Sequence, residues 1–130
     1  MATLGRGDPL VGGVVAFTGV VRGEDGLSAL EIEHYPGMTE RAMRAFAEEA
    51  VSRFELRDCL VVHRHGRLAV GEAIMMVATA APHRADAFAA AEFLMDWLKS
   101  RAPFWKKEIR ADGTGWVAAK DEDEAALGRW

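Results

Sequence analysis

The sequence predicts an α+β fold with a mainly antiparallel sheet and two principal helices. Three observations predict it. Short β-branched and aromatic runs alternate with Gly- and Pro-bearing turns. Two longer segments carry apolar residues at helical spacing. The order is strand, strand, helix, strand, strand, helix, strand, strand, with connections short enough for hairpins. The 130 residues fit one domain, 1–130, and residues 1–7 are expected to be mobile. Half the residues are hydrophobic, enough to bury a core without disulfides.

The first strand spans Val11 to Val21, where Val14, Val15, Phe17, Val20 and Val21 favour extended backbone and Gly19 suggests a bulge. Gly23-Glu24-Asp25-Gly26 is a turn. Leu27 to His34 alternates, with Leu30, Ile32 and His34 against Glu31 and Glu33, and is expected to pair with the first strand as a hairpin. Tyr35-Pro36-Gly37 breaks it. A helix begins near Thr39, read as the N-cap, with a stripe of Met43, Phe46, Ala47, Ala50, Val51 and Phe54. Arg57 to His65 is the third strand, Gly66 to Gly71 a connection, and Glu72 to Ala80 the fourth strand. The second helix opens at Ala81-Pro82-His83-Arg84 and runs to about Ala102, with Phe88, Ala91, Met95 and Leu98 as its buried stripe. A strand to Arg110, a turn from Asp112 to Gly115, a short strand at Trp116-Val117-Ala118 and one helical turn in the acidic tail complete the chain. Open strand edges and Trp/Phe-rich segments point to a homodimer.

Net charge is −4, which does not advertise nucleic-acid binding. The charge is uneven: Asp121 to Glu124 is acidic, while Lys99 to Arg110 is basic. A basic pocket on an acidic protein suits a small anion. No apolar run approaches the roughly 20 residues that span a bilayer, and the N-terminus lacks a signal-peptide apolar region. One cysteine, Cys59, suits a reducing cytoplasm and reads as a core residue. No zinc spacing, phosphate-binding Gly loop or nucleophilic Ser motif is present, so no metal or cofactor is expected; His63 and His65 read as ordinary strand residues.

The most informative stretch runs from Met95 to Glu108. Pro103 makes a corner, because it lacks an N–H and drives Ala102 toward extended geometry. Lys99 falls in the last helical turn before the corner. Beyond it, Phe104, Lys106 and Glu108 share one strand face and Trp105, Lys107 and Ile109 the other. Such a corner can turn two ammonium groups toward one pocket, where proximity and burial depress their pKa values. Taken singly, spacing favours reading each lysine as a solvated cation near a helix end. His83-Arg84 at a helix N-terminus and Arg22 beside a Gly-bearing loop are candidate anion contacts, each with a solvated alternative.

Several stretches together resemble the catalytic (large) subunits of molybdopterin synthase. They are Phe17-Thr18-Gly19-Val20-Val21-Arg22, Glu33-His34-Tyr35-Pro36-Gly37-Met38, His63-Arg64-His65-Gly66 with Val70-Gly71-Glu72, Pro82-His83-Arg84, and above all Met95 to Glu108. The resemblance implies a hammerhead-like α+β fold. It also implies an enzyme that forms the dithiolene of molybdopterin from cyclic pyranopterin monophosphate. Its partner would be a small ubiquitin-like sulfur-carrier subunit bearing a C-terminal Gly-Gly thiocarboxylate. The large subunit would be the homodimeric core of a heterotetramer. Carried residue by residue, the resemblance makes Lys99 and Lys106 catalytic. Lys99 would act directly, and Lys106 would assist and bind the incoming anion. Arg22, His83, Arg84, Phe17 and Met95 would line the substrate pocket, with His83 and Arg84 reaching it across the dimer interface. Lys120 stands where the family often has Arg, which keeps charge but loses the bidentate fork. The family usually carries a further strand and helix before the position of Asp8, and a longer loop at residues 23–26. A non-catalytic homodimeric module that docks a sulfur carrier, and a phosphate-ester enzyme of different reaction type, are the competing readings.

Overall fold

The computed structural model describes residues 4–24, 26–111, 113–117, 127–128 and 130. The elements run β1 (Gly13–Val20), β2 (Leu27–His34), α1 (Met38–Phe54), β3 (Asp58–His63), β4 (Gly66–Ala69), β5 (Ala73–Ala81), α2 (Arg84–Ser100), β6 (Phe104–Arg110) and β7 (Gly113–Val117). Every strand pair is antiparallel, in a three-stranded sheet ordered β1-β5-β3 and a four-stranded sheet ordered β4-β2-β6-β7. The α+β class with two main helices is as predicted.

The predicted β1–β2 hairpin does not form. β1 lies against β5, with Phe17 opposite Val77, while β2 lies between β4 and β6 in the other sheet. The cause is β5. Val77 to Ala81 are buried without interruption, so this strand must be central and needs an apolar neighbour on each side. β1 and β3 supply them. β2 alternates instead, and its inward residue Ile32 packs with Val21 and Leu68 in a smaller second core. Burial of Leu68 at 1 % exposure also explains why Gly66–Ala69, expected as a connection, is a strand. The expected irregularity at Gly19 is present as a register shift between Gly19 and Val20.

α1 is capped by Gly37 in a positive-φ conformation, and the Glu40 carboxylate accepts from the Gly37 N–H. Thr39, expected as the cap, is instead buried inside the first turn. α2 lies across β5. Its alanines allow close approach, and the buried Thr79 hydroxyl donates to the Ala87 carbonyl at 2.7 Å. The buried set of α2 is Ala87, Ala90, Ala91, Phe93, Leu94, Asp96 and Leu98. Phe88, placed in the buried stripe by its spacing, is 63 % exposed: the buried face is centred on the alanines that touch β5, and Phe88 falls outside it. Trp130 packs edge-on against Phe54 and Phe93, and its indole N–H donates to the buried Asp96 carboxylate. Among the described residues no helix is long and apolar enough to cross a membrane.

Candidate functional site

The corner after α2 forms as its chemistry dictates. The Arg101 and Ala102 N–H groups both return to the Trp97 carbonyl, and the Phe104 N–H returns to the Ala102 carbonyl. Pro103 turns the chain, and β6 begins at Phe104. A long-range contact fixes the turn: the Thr39 hydroxyl donates to the Pro103 carbonyl at 3.1 Å while accepting from the Tyr35 N–H at 2.9 Å. Thr39 is 3 % exposed, so both bonds are shielded from water. The corner is therefore tied to the start of α1.

Lys99 stands exposed in the last turn of α2, where its charge complements the helix C-terminus. Lys106 stands half-buried on β6, opposite Ile32. It shares a face with Phe104, two residues earlier. The two lysines thus flank one corner.

The strand registers locate the other candidates. Gly13 opens β1 opposite Ala81, and a Cβ at Gly13 would come 3.7 Å from the Arg84 Cα. His83 and Arg84 therefore sit at the Gly13 end of β1, both exposed, with His83 in extended backbone as the N-cap of α2. Gly12 is required there, because a Cβ would lie 2.0 Å from the Pro82 carbonyl oxygen. From Arg84 the helix runs along β5 toward the other end of the sheet. Arg84 and Lys99 are the first and next-to-last residues of a 17-residue helix, which at 1.5 Å per residue parts them by roughly 22 Å. One copy does not bring these two groups together.

Arg22 belongs to the lysine end. It follows Val20, opposite Ala73, and Val21 is held there by exchange of bonds with Glu72 and Gly71. Its guanidinium pairs with Glu24 at 2.9 Å with both side chains over half exposed, an ion pair worth little in water and easily exchanged for a ligand. Phe17 is 47 % exposed on β1. Met95 is half-buried against the main core. Lys120 lies outside the described residues.

Three of the chain's four histidines gather at this end, which sequence spacing did not reveal. The His63 ring stacks on Phe104 with centroids 3.7 Å apart, and the His34 and His65 rings lie 4.1 Å apart. They come from β3, β2 and the β3–β4 connection, so only the tertiary fold unites them. Among the described residues no group of His, Cys, Asp or Glu is arranged to hold a metal. Two open depressions, one lined by Glu108, Arg110 and Trp116 and one by Arg44, Val51 and Cys59, lie away from the corner.

What these positions offer chemically is a cationic corner held rigidly by buried contacts, with an arginine beside it and a His–Arg pair at the far end of the same helix. The model of the family described as MoaE protein matches residues 1–101. A relative from Cereibacter sphaeroides, named molybdopterin synthase catalytic subunit, is 68% identical over 129 residues, covering 98% of this chain and 88% of its own. Among solved structures, a molybdopterin biosynthesis MoaE protein from Burkholderia ambifaria is 52% identical with a TM-score of 0.83, covering 99% of this chain and 86% of that one. The molybdopterin synthase structure from Staphylococcus aureus is 33% identical with a TM-score of 0.80, covering 85% and 83% respectively.

Proposed function

The chain belongs to the MoaE protein family, and on that premise we propose that it is the catalytic subunit of a molybdopterin synthase. In this reading it is a sulfurtransferase. It moves sulfur from the C-terminal thiocarboxylate of a small ubiquitin-like subunit to cyclic pyranopterin monophosphate, forming the dithiolene of molybdopterin. The observation that carries the reading at residue level is the Pro103 corner, with Lys99 before it and Lys106 after it. Lys99, the more exposed, acts on the substrate directly as general acid/base or by holding a covalent intermediate. Lys106, anchored in the sheet, binds the incoming thiocarboxylate or the substrate anion. Arg22 contacts the phosphate, and Phe17 and Met95 form the apolar wall.

The same reading makes the protein a homodimer at the core of a heterotetramer. β1 stands at the edge of its sheet, and no described strand covers its outer side. A second copy added antiparallel on that edge around a two-fold axis reverses the strand direction. The partner's Gly13 end then meets this copy's Val20 end. His83 and Arg84 would come from the second copy, completing a site whose own Arg84 is roughly 22 Å away along α2. The helix N-terminus adds its N–H groups toward the substrate phosphate. The cytoplasm is the compartment proposed, in keeping with Cys59 as a free thiol that burial pushes up to about 11.

The test is a single-turnover assay of this chain with a thiocarboxylated sulfur carrier and cyclic pyranopterin monophosphate. Dithiolene product from the parent chain, and none from Lys99→Ala with its fold intact, is the expected result. Binding of the sulfur carrier with no product from the parent would replace this reading with a docking module.

A further inference from the structure

The stretches His63-Arg64-His65-Gly66 and Val70-Gly71-Glu72 supply no group to the chemistry proposed above. The fold brings them together beside Arg22. Arg64 follows the end of β3, and its backbone N–H donates to the Ile74 carbonyl of β5 at 2.8 Å. Its guanidinium forks: Nη1 donates to the Ala73 carbonyl at 3.1 Å, and Nη2 pairs with one Glu72 carboxylate oxygen at 3.1 Å. The other Glu72 oxygen accepts from the Ala69 N–H at 3.3 Å, and the Glu72 N–H returns to the Ala69 carbonyl at 3.0 Å. The connection from β4 to β5 is therefore closed on itself between Ala69 and Glu72 and pinned to the end of β3 by Arg64.

That connection holds the backbone on both sides of Arg22. The Val21 N–H donates to the Glu72 carbonyl at 2.9 Å, and the Val21 carbonyl accepts from the Gly71 N–H at 2.8 Å. Val21 is 2 % exposed, so both bonds are shielded from water. Beyond Arg22, Gly23 lies directly against Val70, where an added Cβ would be 2.8 Å from the Val70 Cγ1. Val21 also packs with Ile32, which stands opposite Lys106, so the point from which Arg22 leaves the backbone is set relative to that lysine. The Arg22 side chain itself is 72 % exposed and paired with the equally accessible Glu24. Its aim therefore depends on where its backbone is held. An exposed ion pair such as Arg64–Glu72 adds little to stability. Its worth is geometric: a planar fork spans two acceptors, and a carboxylate spans two donors.

We propose that Arg64 and Glu72 are positioning residues for Arg22: together they brace residues 69–73, and the Val21 bonds of that brace hold Arg22 where its guanidinium can leave Glu24 and take the substrate phosphate. The inference rests on the assignment of Arg22 above. Neither residue of the pair touches the substrate. Their loss should therefore act on substrate binding, only through Arg22, and should leave the lysines at the Pro103 corner in place.

The experiment measures turnover of cyclic pyranopterin monophosphate by the full chain with the thiocarboxylated sulfur carrier, for the parent, Glu72→Ala, Arg64→Ala, Arg22→Ala and the double variant Arg22→Ala with Glu72→Ala. Glu72→Ala and Arg64→Ala are each expected to raise KM for the pterin about tenfold with kcat close to the parent. Arg64→Lys, which keeps the charge but not the fork, should fall between Arg64→Ala and the parent. The double variant should be no worse than Arg22→Ala alone, because the brace has nothing left to aim. A parent-like KM in Glu72→Ala, or losses that simply add in the double variant, overturns the proposal. Amide hydrogen exchange reads the brace without chemistry: the Val21 and Gly71 N–H groups should exchange about fivefold faster in Glu72→Ala. Absence of product from the parent chain counts against the sulfurtransferase reading instead. The exchange rates then decide whether the brace exists, and unchanged rates overturn it.

Discussion

The two ends of α2 both present cations, yet they are built in opposite ways. At the N-terminal end, His83 and Arg84 follow a strand–turn–helix junction in which Gly12 backbone packs against Pro82. The helix dipole there is positive, so the Arg84 charge is held against a local field that an arriving anion relieves. At the C-terminal end, Lys99 sits where the dipole favours its charge, and the corner beyond it is tied by Thr39 and by the His63–Phe104 stack. An end that gains from binding an anion suits recognition. An end whose cations are already stabilised and whose backbone is clamped suits chemistry, where small displacements cost rate.

The contrast breaks most sharply at Lys99. Lys99→Ala is expected to lower the single-turnover rate by roughly 10²–10⁴, the usual worth of a positioned acid or base, while the thermal midpoint hardly moves because the side chain is exposed. Arg84→Ala should raise KM and leave kcat much closer to the parent. Equal losses of kcat in both variants would erase the distinction between the two ends. Gly12→Ala attacks the recognition end through its backbone. A Cβ 2.0 Å from the Pro82 oxygen cannot be accommodated without moving the junction, and about 3 kcal/mol of stability should be lost, measurable by urea unfolding.

Thr39→Val attacks the chemical end with a smaller effect. It leaves the Tyr35 N–H and the Pro103 carbonyl without the hydroxyl that serves both, at about 1–3 kcal/mol. The expected signature is a fall in kcat with substrate affinity retained, and Thr39→Ser should restore it. A Thr39→Val protein as active as the parent would show that the corner needs no clamp.

The legible features were the local ones. Pro103 forced the corner, and alternation from Phe104 to Glu108 fixed which residues share the Lys106 face, because both depend on covalent geometry and neighbours in sequence. The partner of β1 was not legible, since it is set by the two-sided burial of β5, a strand more than fifty residues along the chain. Thr39 carried the statistical mark of an N-cap, but its hydroxyl serves a carbonyl 64 residues away. Phe88 fits a helical stripe by spacing, yet the face that β5 covers is chosen by the alanines. His63 and His65 looked ordinary because what distinguishes them is their approach to Phe104 and His34 across two sheets.

The smallest expected effect concerns acid stability. His63 has its pKa lowered from 6.5 to about 4 in the folded protein. Between those values the unfolded chain binds the proton and the folded chain does not, so stability rises with pH across this window and is lost as pH falls through it. Glu40 has its carboxyl held down mainly by backbone N–H groups. Its contribution is present above its ordinary value of 4.5 and disappears at still lower pH, in the same direction. A thermal-melt series from pH 7 to 4 should therefore show a falling midpoint in the parent chain. His63→Phe has nothing to titrate there and should flatten the upper part of that fall, leaving the carboxylate-driven loss below it. If the two curves run parallel from pH 6.5 to 4, the His63 ring is not kept uncharged by its surroundings, and its packing against Phe104 plays no part in the acid stability of the chemical end.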